Sequence, residues 1–319
     1  MRRSQSVTQL IDAVEAFHDR LTAIEWLPLL VAVLVHLARL AVRSRAWRNV
    51  IAAAYPDERV PWPSVYVAYV AAVGVNAVVP ARGGDLLKLY LVRRRIPGAT
   101  YSTLAASLAV ETVFDFVIGS TLIAWALATG ALPGFDALGR LPSIDWFWVF
   151  RTPWLGAVVA AVALFAGFAL GVWSGRAGRA LWTRLAQGVV VLRTPRRYLR
   201  TVAAWQALDW TLRFVVIALF LAAFGVPVTL ENTFLVQAAQ SVSTLLPLTP
   251  SGIGTEQALL VYALAGEAAA SAILSFSVGM RITLMCVNVA LGGLVLLVVL
   301  RTVRWRRVVE DDRALVANE

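Results

Sequence analysis

The sequence predicts an α-helical integral membrane protein that crosses the bilayer several times. Hydrophobic residues make up 59% of the chain and charged residues only 15%, whereas soluble domains carry about 25% charge. Several apolar runs are long enough for a helix to span the hydrocarbon, which takes about 20 residues. They cover residues 24–42, 104–128, 152–173, 201–224 and 268–300. No run alternates as the strands of a membrane barrel do, so the spans are predicted to be helices.

The predicted transmembrane domain covers residues 23–300. A polar segment of mixed charge, residues 1–22, precedes it, and a tail that is basic and then acidic, residues 301–319, follows it. No small-residue cleavage site follows a short apolar core near the start, so the run 24–42 is interpreted as a retained helix.

Arginine supplies almost all of the positive charge. The net charge is +10, and Lys88 is the only lysine. The arginines cluster at the ends of apolar runs, a pattern typical of topology-fixing loops rather than of nucleic-acid binding. The basic loop 175–200 and the tail are therefore predicted to be cytoplasmic, and the loop 130–151 external. The orientation of the amino terminus stays open, because arginines lie on both sides of the first run.

Catalytic and metal-binding motifs are absent from the sequence. One cysteine, Cys286, and two histidines, His18 and His36, are too few for a recognisable zinc site. No nucleotide-binding loop, dinucleotide fingerprint or serine elbow is present. We therefore expect no enzyme, no catalytic residue, no resident metal and no cofactor.

Two apolar segments, residues 65–90 and 233–262, are interrupted by proline and glycine. The breaks are Pro80, Gly83 and Gly84 in the first segment, and Pro247, Pro250, Gly252 and Gly254 in the second. Proline and paired glycines end a helix, and non-helical backbone at membrane depth survives only against protein or a water-filled cavity. The segments are predicted to be re-entrant; the alternative is a plain helix that ends at the surface.

The two broken segments resemble each other, which favours an inverted internal repeat. Residues 71–80 align without gaps on residues 238–247. Each stretch continues into glycines, an acid (Asp85 or Glu256) and a leucine-rich turn that ends in tyrosine. In the predicted topology three crossings separate the two prolines, so the halves would run in opposite directions. Interrupted segments at matching places in two halves indicate a transport site.

Ionisable residues inside the apolar runs are candidate functional residues, because each costs about 2.5–3.5 kcal/mol on insertion scales. Glu111 and Asp115 lie four residues apart on one helical face, and Arg281 is the candidate partner from the second half. This cluster is either an ion pair that locks two helices or a site for a charged headgroup or a proton.

Other intramembrane charges are expected to be structural. Asp209 and Arg213 are four residues apart on one helix and are predicted to form an intrahelical pair. His36 and Arg39 lie near the end of the first run and are expected to reach the interface by snorkelling. No functional role is assigned to these four residues.

The loop around the first break is a second candidate site. Arg82 and Lys88 flank backbone amides that could receive a phosphate, for which the arginine fork is well suited. The alternative is that both cations only mark a cytoplasmic boundary. The second break, residues 251–256, has no cation and alone is weak evidence for a phosphate site.

Taken together, these motifs resemble the transmembrane region of lysylphosphatidylglycerol synthase, also called the flippase-like family. The resemblance covers residues 25–300 and is most specific in the second break. It rests on Pro80, Arg82, Gly84, Asp85, Lys88, Glu111, Asp115, Pro247, Gly252, Gly254, Glu256 and Arg281. The chain has Asp85 and Lys88 where the family has glutamate and arginine. It also has Thr112 where arginine is usual, which removes a cation that contacts headgroups in relatives.

The resemblance implies translocation of a membrane lipid. In bifunctional relatives a soluble aminoacyltransferase domain makes aminoacylated phosphatidylglycerol, and the membrane part moves it to the outer leaflet. This chain ends at Glu319, soon after the last predicted span, so synthase activity is not expected. The expected protein is a multi-pass flippase of the bacterial inner membrane with a cytoplasmic carboxyl terminus. Its substrate would be a membrane phospholipid or a polyprenyl-linked lipid.

The broken segments and the intramembrane charge that they face predict roles for these residues. The headgroup would be held by Arg82, Gly84, Asp85 and Lys88, and the path would be gated by Glu111, Asp115 and Arg281. Because no nucleotide-binding motif is present, transport would be ion-coupled, downhill or powered by another protein. The alternative is a non-transporting membrane partner that presents lipid to a separate glycosyl- or aminoacyltransferase, with its membrane charges as structural ion pairs.

Overall fold

The computed structural model describes residues 24–79, 83–132, 176–245 and 254–302, and these residues are almost entirely helical. The helices are α1 (Trp26–Ala54), α2 (Trp62–Val78), α3 (Gly83–Arg93), α4 (Tyr101–Ala128), α5 (Arg176–Gly188), α6 (Pro195–Tyr198), α7 (Ala204–Ala223), α8 (Leu230–Leu245), α9 (Thr255–Ala263) and α10 (Ala270–Thr302). A 3-10 turn and a π turn join α5, α6 and α7. The predicted all-α fold is confirmed.

Four helical stretches in the described part of the chain are long and apolar enough to cross a membrane. They are Trp26–Ala54, Tyr101–Ala128, Pro195–Ala223 and Ala270–Val298. Each has 28 or 29 residues, or about 42 Å at 1.5 Å per residue, which exceeds the hydrocarbon thickness. The prediction of a polytopic bundle is therefore confirmed. The predicted run 152–173, residues 1–22 and most of the tail lie outside the described residues.

Helices α2 and α3 form an antiparallel hairpin around the first predicted break. The Gly84 amide donates to Asn76 Oδ1 at 2.8 Å near the tip, and further along Lys88 lies over the ring of Tyr69. A Cβ at Gly84 would collide with the carbonyl of Ala72, so only glycine permits this approach. At 11 residues α3 extends only about 17 Å, too short to cross a bilayer.

Helices α8 and α9 form the second hairpin. Gln240 near the end of α8 donates to Glu256 at the start of α9 at 3.2 Å. With nine residues, α9 is also too short to span the membrane. The tips themselves, with Pro80 and Arg82 in the first hairpin and Pro247 and Gly252 in the second, lie outside the described residues. Both broken segments are thus hairpins, as re-entrant segments require.

The described helices form two halves with the same order of elements. Each half has a long helix, a hairpin and another long helix: α1 to α4, and α7 to α10. The first long helices, α1 and α7, lie antiparallel, because Glu25 N donates to Ala223 O at 3.0 Å and Asn49 donates to Thr201 O at 2.6 Å. Equivalent helices that run in opposite directions are the mark of an inverted repeat.

The first helix of each hairpin packs against a long helix of the other half, an arrangement called here the exchange of hairpins. Helix α2 packs on α10, and α8 packs on α4. A Cβ added at Gly74 of α2 would lie 2.6 Å from Cα of Gly292, and one added at Gly119 of α4 would lie 3.4 Å from Ser241 Oγ of α8. Gly74 and Ser241 are aligned positions of the two broken segments, so the contacts support the predicted repeat.

We expect Gly74→Ala to destabilise the protein, because its methyl group would press on the Gly292 backbone and not on a movable side chain. Overpacking of this kind costs about 1–3 kcal/mol. Thermal unfolding in detergent measures the effect. Gly293→Ala is the matched control, since a Cβ there meets nothing within 4 Å. Equal melting temperatures for the two variants would contradict the tight α2–α10 contact.

Two apolar clusters flank the centre of the molecule. One packs helices α7, α8, α9 and α10 around Phe220, Leu260 and Phe276 and includes residues from the start of α1 and the end of α4. The other packs helices α1, α2, α3 and α4 around Trp47 and Leu104. The polar side chains of the long helices gather between these clusters, where the two halves meet. This placement defines the candidate site.

Candidate functional site

A polar cavity of about 530 Å³ lies at mid-depth of the long helices, between the two halves. Helices α1, α4 and α7 contribute residues near their midpoints, and both hairpins reach the cavity with residues beside their tips. The polar lining residues are Arg39, Arg43, Tyr69, Asn76, Asp85, Lys88, Glu111, Thr112, Asp115, Ser120, Trp210, Arg213, Gln237, Gln240, Ser241 and Thr244. Such a density of charge at this depth requires mutual pairing, because each isolated charge is costly there.

Asp209 of α7 is the hub of the charge cluster. Its side chain is only 2% exposed and accepts hydrogen bonds from Arg39 Nε at 2.8 Å and Arg43 Nη1 at 3.0 Å. Arg213 approaches the same carboxylate at 3.9 Å. The predicted pair of Asp209 and Arg213 therefore exists, but its geometry is the weakest of the three. The principal partners of Asp209 come from α1.

Arg43 connects three helices. Besides Asp209, its guanidinium donates to the carboxylate of Asp115 on α4. Asp115 also accepts a hydrogen bond from the indole Nε1 of Trp210 at 2.9 Å. One arginine of α1 thus binds carboxylates of α4 and α7, which fixes the long helices around the cavity.

Lys88 is held in an aromatic setting on the first hairpin. Its ammonium lies 4.8 Å from the ring centroid of Trp47 and 4.7 Å from that of Tyr69. It also pairs with Asp85 at 3.5 Å. Cation–π contacts strengthen when the ammonium is desolvated, as this buried side chain is. The hairpin thereby presents its lysine to the cavity without exposing it to lipid.

Glu111 of α4 lies one helical turn from Asp115 and also lines the cavity. The residue is 4% exposed, and its Oε1 is buried without a hydrogen-bond partner. Of the two predicted carboxylates, Asp115 is therefore tightly paired, whereas Glu111 has no ion pair among the described side chains.

Arg281 requires a correction to the predicted charge cluster. It forms its ion pair with Glu256 of α9, which packs on α10, at 3.2 Å rather than with Glu111 or Asp115. Glu256 also accepts from Gln240. The pair joins α9 to α10, and neither residue lines the central cavity.

The remaining predicted site residues divide between the two hairpins. Gly84 and Asp85 lie beside the first tip. Gly254 precedes α9 with a φ of 89°, and its amide donates to Gln257 Oε1 at 2.7 Å. The predicted residues Pro80, Arg82, Pro247 and Gly252 lie outside the described part of the chain.

Several site residues were missed by the sequence reasoning. Arg39 is predicted to reach the interface and Arg43 falls beyond the predicted first run, which ends at residue 42, whereas α1 continues to Ala54. His36 does not snorkel: it is buried and hydrogen-bonded to Asn288 Oδ1 at 2.9 Å. One sequence pattern could have indicated these residues. Arg39 and Arg43 are four residues apart, as are Asp209 and Arg213 on a second apolar helix.

The fold and the site together define a multi-pass membrane protein with two inverted halves around a charged central cavity. A sequence model described as the lysylphosphatidylglycerol synthase TM region matches residues 6–292, so the chain belongs to that family of lipid-handling membrane proteins. Neither a curated protein nor a solved structure matches the chain. The described residues contain no group of three or more His, Cys, Asp or Glu side chains that could hold a metal ion.

Proposed function

We propose that the protein moves phosphate-bearing lipid headgroups across the bilayer through the central cavity. The observation that carries this proposal is the polar cavity itself, at mid-depth and between inverted halves. Charged residues at this depth mark substrate paths, and transporters built from inverted repeats bind substrate near the midplane where the repeats meet. The volume of about 530 Å³ falls within the range of small-molecule sites.

The cavity offers cations to an anionic headgroup. Lys88 and Arg213 line it, together with Arg39 and Arg43. Phosphate oxygens would accept charge-assisted hydrogen bonds from these groups, and each such bond contributes about 1.5–3 kcal/mol. Arg82, which precedes α3 and lies outside the described residues, is proposed as a further contact to the phosphate.

Lipid tails have a route beside the cavity. Phe116 of α4 lines the cavity and is also 59% exposed. Leu86 of α3 is likewise an exposed apolar residue that suits contact with lipid. A headgroup could therefore enter the cavity from the side while its tails stay in the bilayer.

The proposed substrate is a membrane phospholipid or a polyprenyl-linked lipid, both of which carry phosphate. We place the protein in the bacterial inner membrane, with the basic side in the cytoplasm by the positive-inside rule. Exposed arginines of the segment that links α5 to α7, including Arg193, Arg196 and Arg197, support this orientation.

A second candidate function is a non-transporting partner that presents lipid to a separate transferase. The Asp209 hub favours it, because three cavity cations already share a carboxylate and could serve only to lock the helices. In that case the chain would bind lipid and a transferase without exchanging lipid between leaflets.

Blocking the cavity tests translocation. We expect purified protein in liposomes to accelerate leaflet exchange of fluorescent phosphatidylglycerol, and Thr112→Trp to slow that exchange about tenfold or more, since an added barrier of about 1.4 kcal/mol has this effect. Thr112 lines the cavity. The readout is the fraction of fluorophore quenched from outside over time.

Val113→Trp is the matched control for this experiment. Val113 is the next residue of α4 and, like Thr112, is exposed, but it does not line the cavity. Exchange that survives in this variant and is lost in Thr112→Trp supports passage through the cavity. Absence of exchange by the folded wild-type protein with every lipid offered would favour the partner function.

A further inference from the structure

The central cavity contains one carboxyl group more than its ion pairs use. Arg39, Arg43 and Arg213 share Asp209, Arg43 also binds Asp115, and Lys88 pairs with Asp85. These contacts engage all the described cations of the cavity. Among the described side chains Glu111 has no ion pair, and its buried Oε1 has no hydrogen-bond partner.

The titratable groups around Glu111 come from several helices. Arg43 of α1, Lys88 of α3, Asp115 of α4 and Asp209 of α7 act on it electrostatically, and Tyr69 of α2 lines the same cavity. Helix α8 lines the cavity with uncharged side chains such as Gln237 and Gln240. The side chains of Arg179 and Arg184 on α5 are exposed and do not line the cavity. The described charged side chains around Glu111 therefore form their ion pairs with one another and not with Glu111.

The charge balance of the cavity depends on one proton. The described cations are Arg39, Arg43, Lys88 and Arg213, and the described carboxyl groups are Asp85, Glu111, Asp115 and Asp209. With every carboxyl ionised the charges cancel. With Glu111 protonated the cavity carries one net positive charge. A phosphodiester headgroup carries one negative charge and would restore neutrality.

We propose that Glu111 binds a proton together with an anionic lipid headgroup, so that proton and headgroup cross the membrane as a neutral complex. This inference rests on the proposed translocation and adds a proton gradient as its energy source. An unpaired carboxylate at membrane depth is costly, and so is a headgroup charge without a counter-charge. Joint binding avoids both costs among the described side chains: without a headgroup they are neutral with Glu111 ionised, and with a bound headgroup they are neutral with Glu111 protonated.

The coupling has a directional consequence. A proton that moves from the acidic to the alkaline side carries the lipid with it, so the lipid accumulates in the leaflet that faces the alkaline side. With one proton per lipid, a gradient of one pH unit supports at most about a tenfold ratio between leaflets. A membrane potential alone has no effect on that ratio, because the complex that moves is neutral.

The test uses liposomes that contain the full-length protein and fluorescent phosphatidylglycerol, with either a pH gradient or a potassium diffusion potential. The readout is the leaflet ratio at steady state, which does not depend on the rate. We expect wild type to reach a ratio of several-fold under the pH gradient and a ratio near one under the potential. Glu111→Gln would carry the headgroup without a proton, so it should give a ratio near one under the pH gradient and a ratio that departs from one under the potential. Glu231→Gln, an exposed acid on α8, is the matched control and should behave as wild type.

A wild-type ratio of one under the pH gradient, with exchange still fast, would overturn the proton coupling and leave translocation standing. Retention of the gradient response in Glu111→Gln would overturn the assignment to this residue.

Infrared difference spectroscopy tests proton binding without transport. Ether-linked phosphatidylglycerol, which has no ester carbonyl, is added to the protein in neutral ether-lipid nanodiscs. A protonated-carboxyl band should appear in wild type and not in Glu111→Gln. Its absence in wild type would refute joint binding, whereas its presence without leaflet exchange would support the site and count against translocation.

Discussion

Replacing Asp209 by asparagine is expected to lower the free energy of unfolding by about 3–5 kcal/mol, the cost of removing one partner from a buried ion pair. Asp209 accepts hydrogen bonds from Arg39 and Arg43 and lies near Arg213. Its side chain is 2% exposed. Asparagine keeps the shape but removes the only charge that these three guanidinium groups share. The cations would then repel one another without compensation at membrane depth.

Size-exclusion profiles and thermal unfolding in detergent measure this effect. Asp57→Asn is the control, because Asp57 is an exposed residue of the loop between α1 and α2. The double variant Arg39→Met with Asp209→Asn should recover part of the stability, since it removes a cation together with the anion. Normal stability of Asp209→Asn alone would contradict the assignment of Asp209 as the hub.

Lys88→Met is expected to reduce lipid exchange by about 10- to 100-fold, which corresponds to the loss of one charge-assisted contact of about 1.5–3 kcal/mol. Methionine keeps the length and the apolar contacts with Trp47 and Tyr69 but removes the ammonium. The fold should be affected less than in Asp209→Asn, because the pair with Asp85 is longer, at 3.5 Å, and Asp85 is partly exposed.

The chain itself provides a direct readout for Lys88, because this is its only lysine. An amine-reactive label can modify Lys88 and the terminal amine and no other side chain. We expect slow labelling of Lys88, detected by mass spectrometry, and further protection when anionic lipid is present. The terminal amine serves as the internal control. Labelling of Lys88 that is fast and indifferent to lipid would argue against a headgroup contact.

The fold was predictable from the sequence because its signals are local. Apolar runs of spanning length predict the long helices, and proline and glycine within such runs predict the breaks. The repeat was recognisable because residues 71–80 and 238–247 retain a common pattern. The structure then adds the antiparallel placement of α1 and α7 and the exchange of hairpins, which no local pattern encodes.

The pairing of charges could be predicted only in part. Glu111 and Asp115 were selected because each is an acid in an apolar run, and both line the cavity. Arg281 is the partner that the sequence predicts for these acids. In the structure Asp115 binds Arg43, and Arg281 binds Glu256. Which cation meets which acid depends on how helices from distant parts of the chain pack, and the sequence spacing constrains only partners on one helix.

The exchange of hairpins has a consequence for how such a chain can arise. Helix α2 of the first half completes its packing only against α10, and α8 only against α4. A chain with one half alone would therefore leave uncovered the face of its own hairpin that carries Gly74 in α2 or Ser241 in α8. Two copies of that half, inserted in opposite orientations, would supply each other's missing helix through the same contacts. The architecture is thus that of an antiparallel homodimer whose two subunits have become one polypeptide, so that the two halves can carry different side chains where they line the cavity.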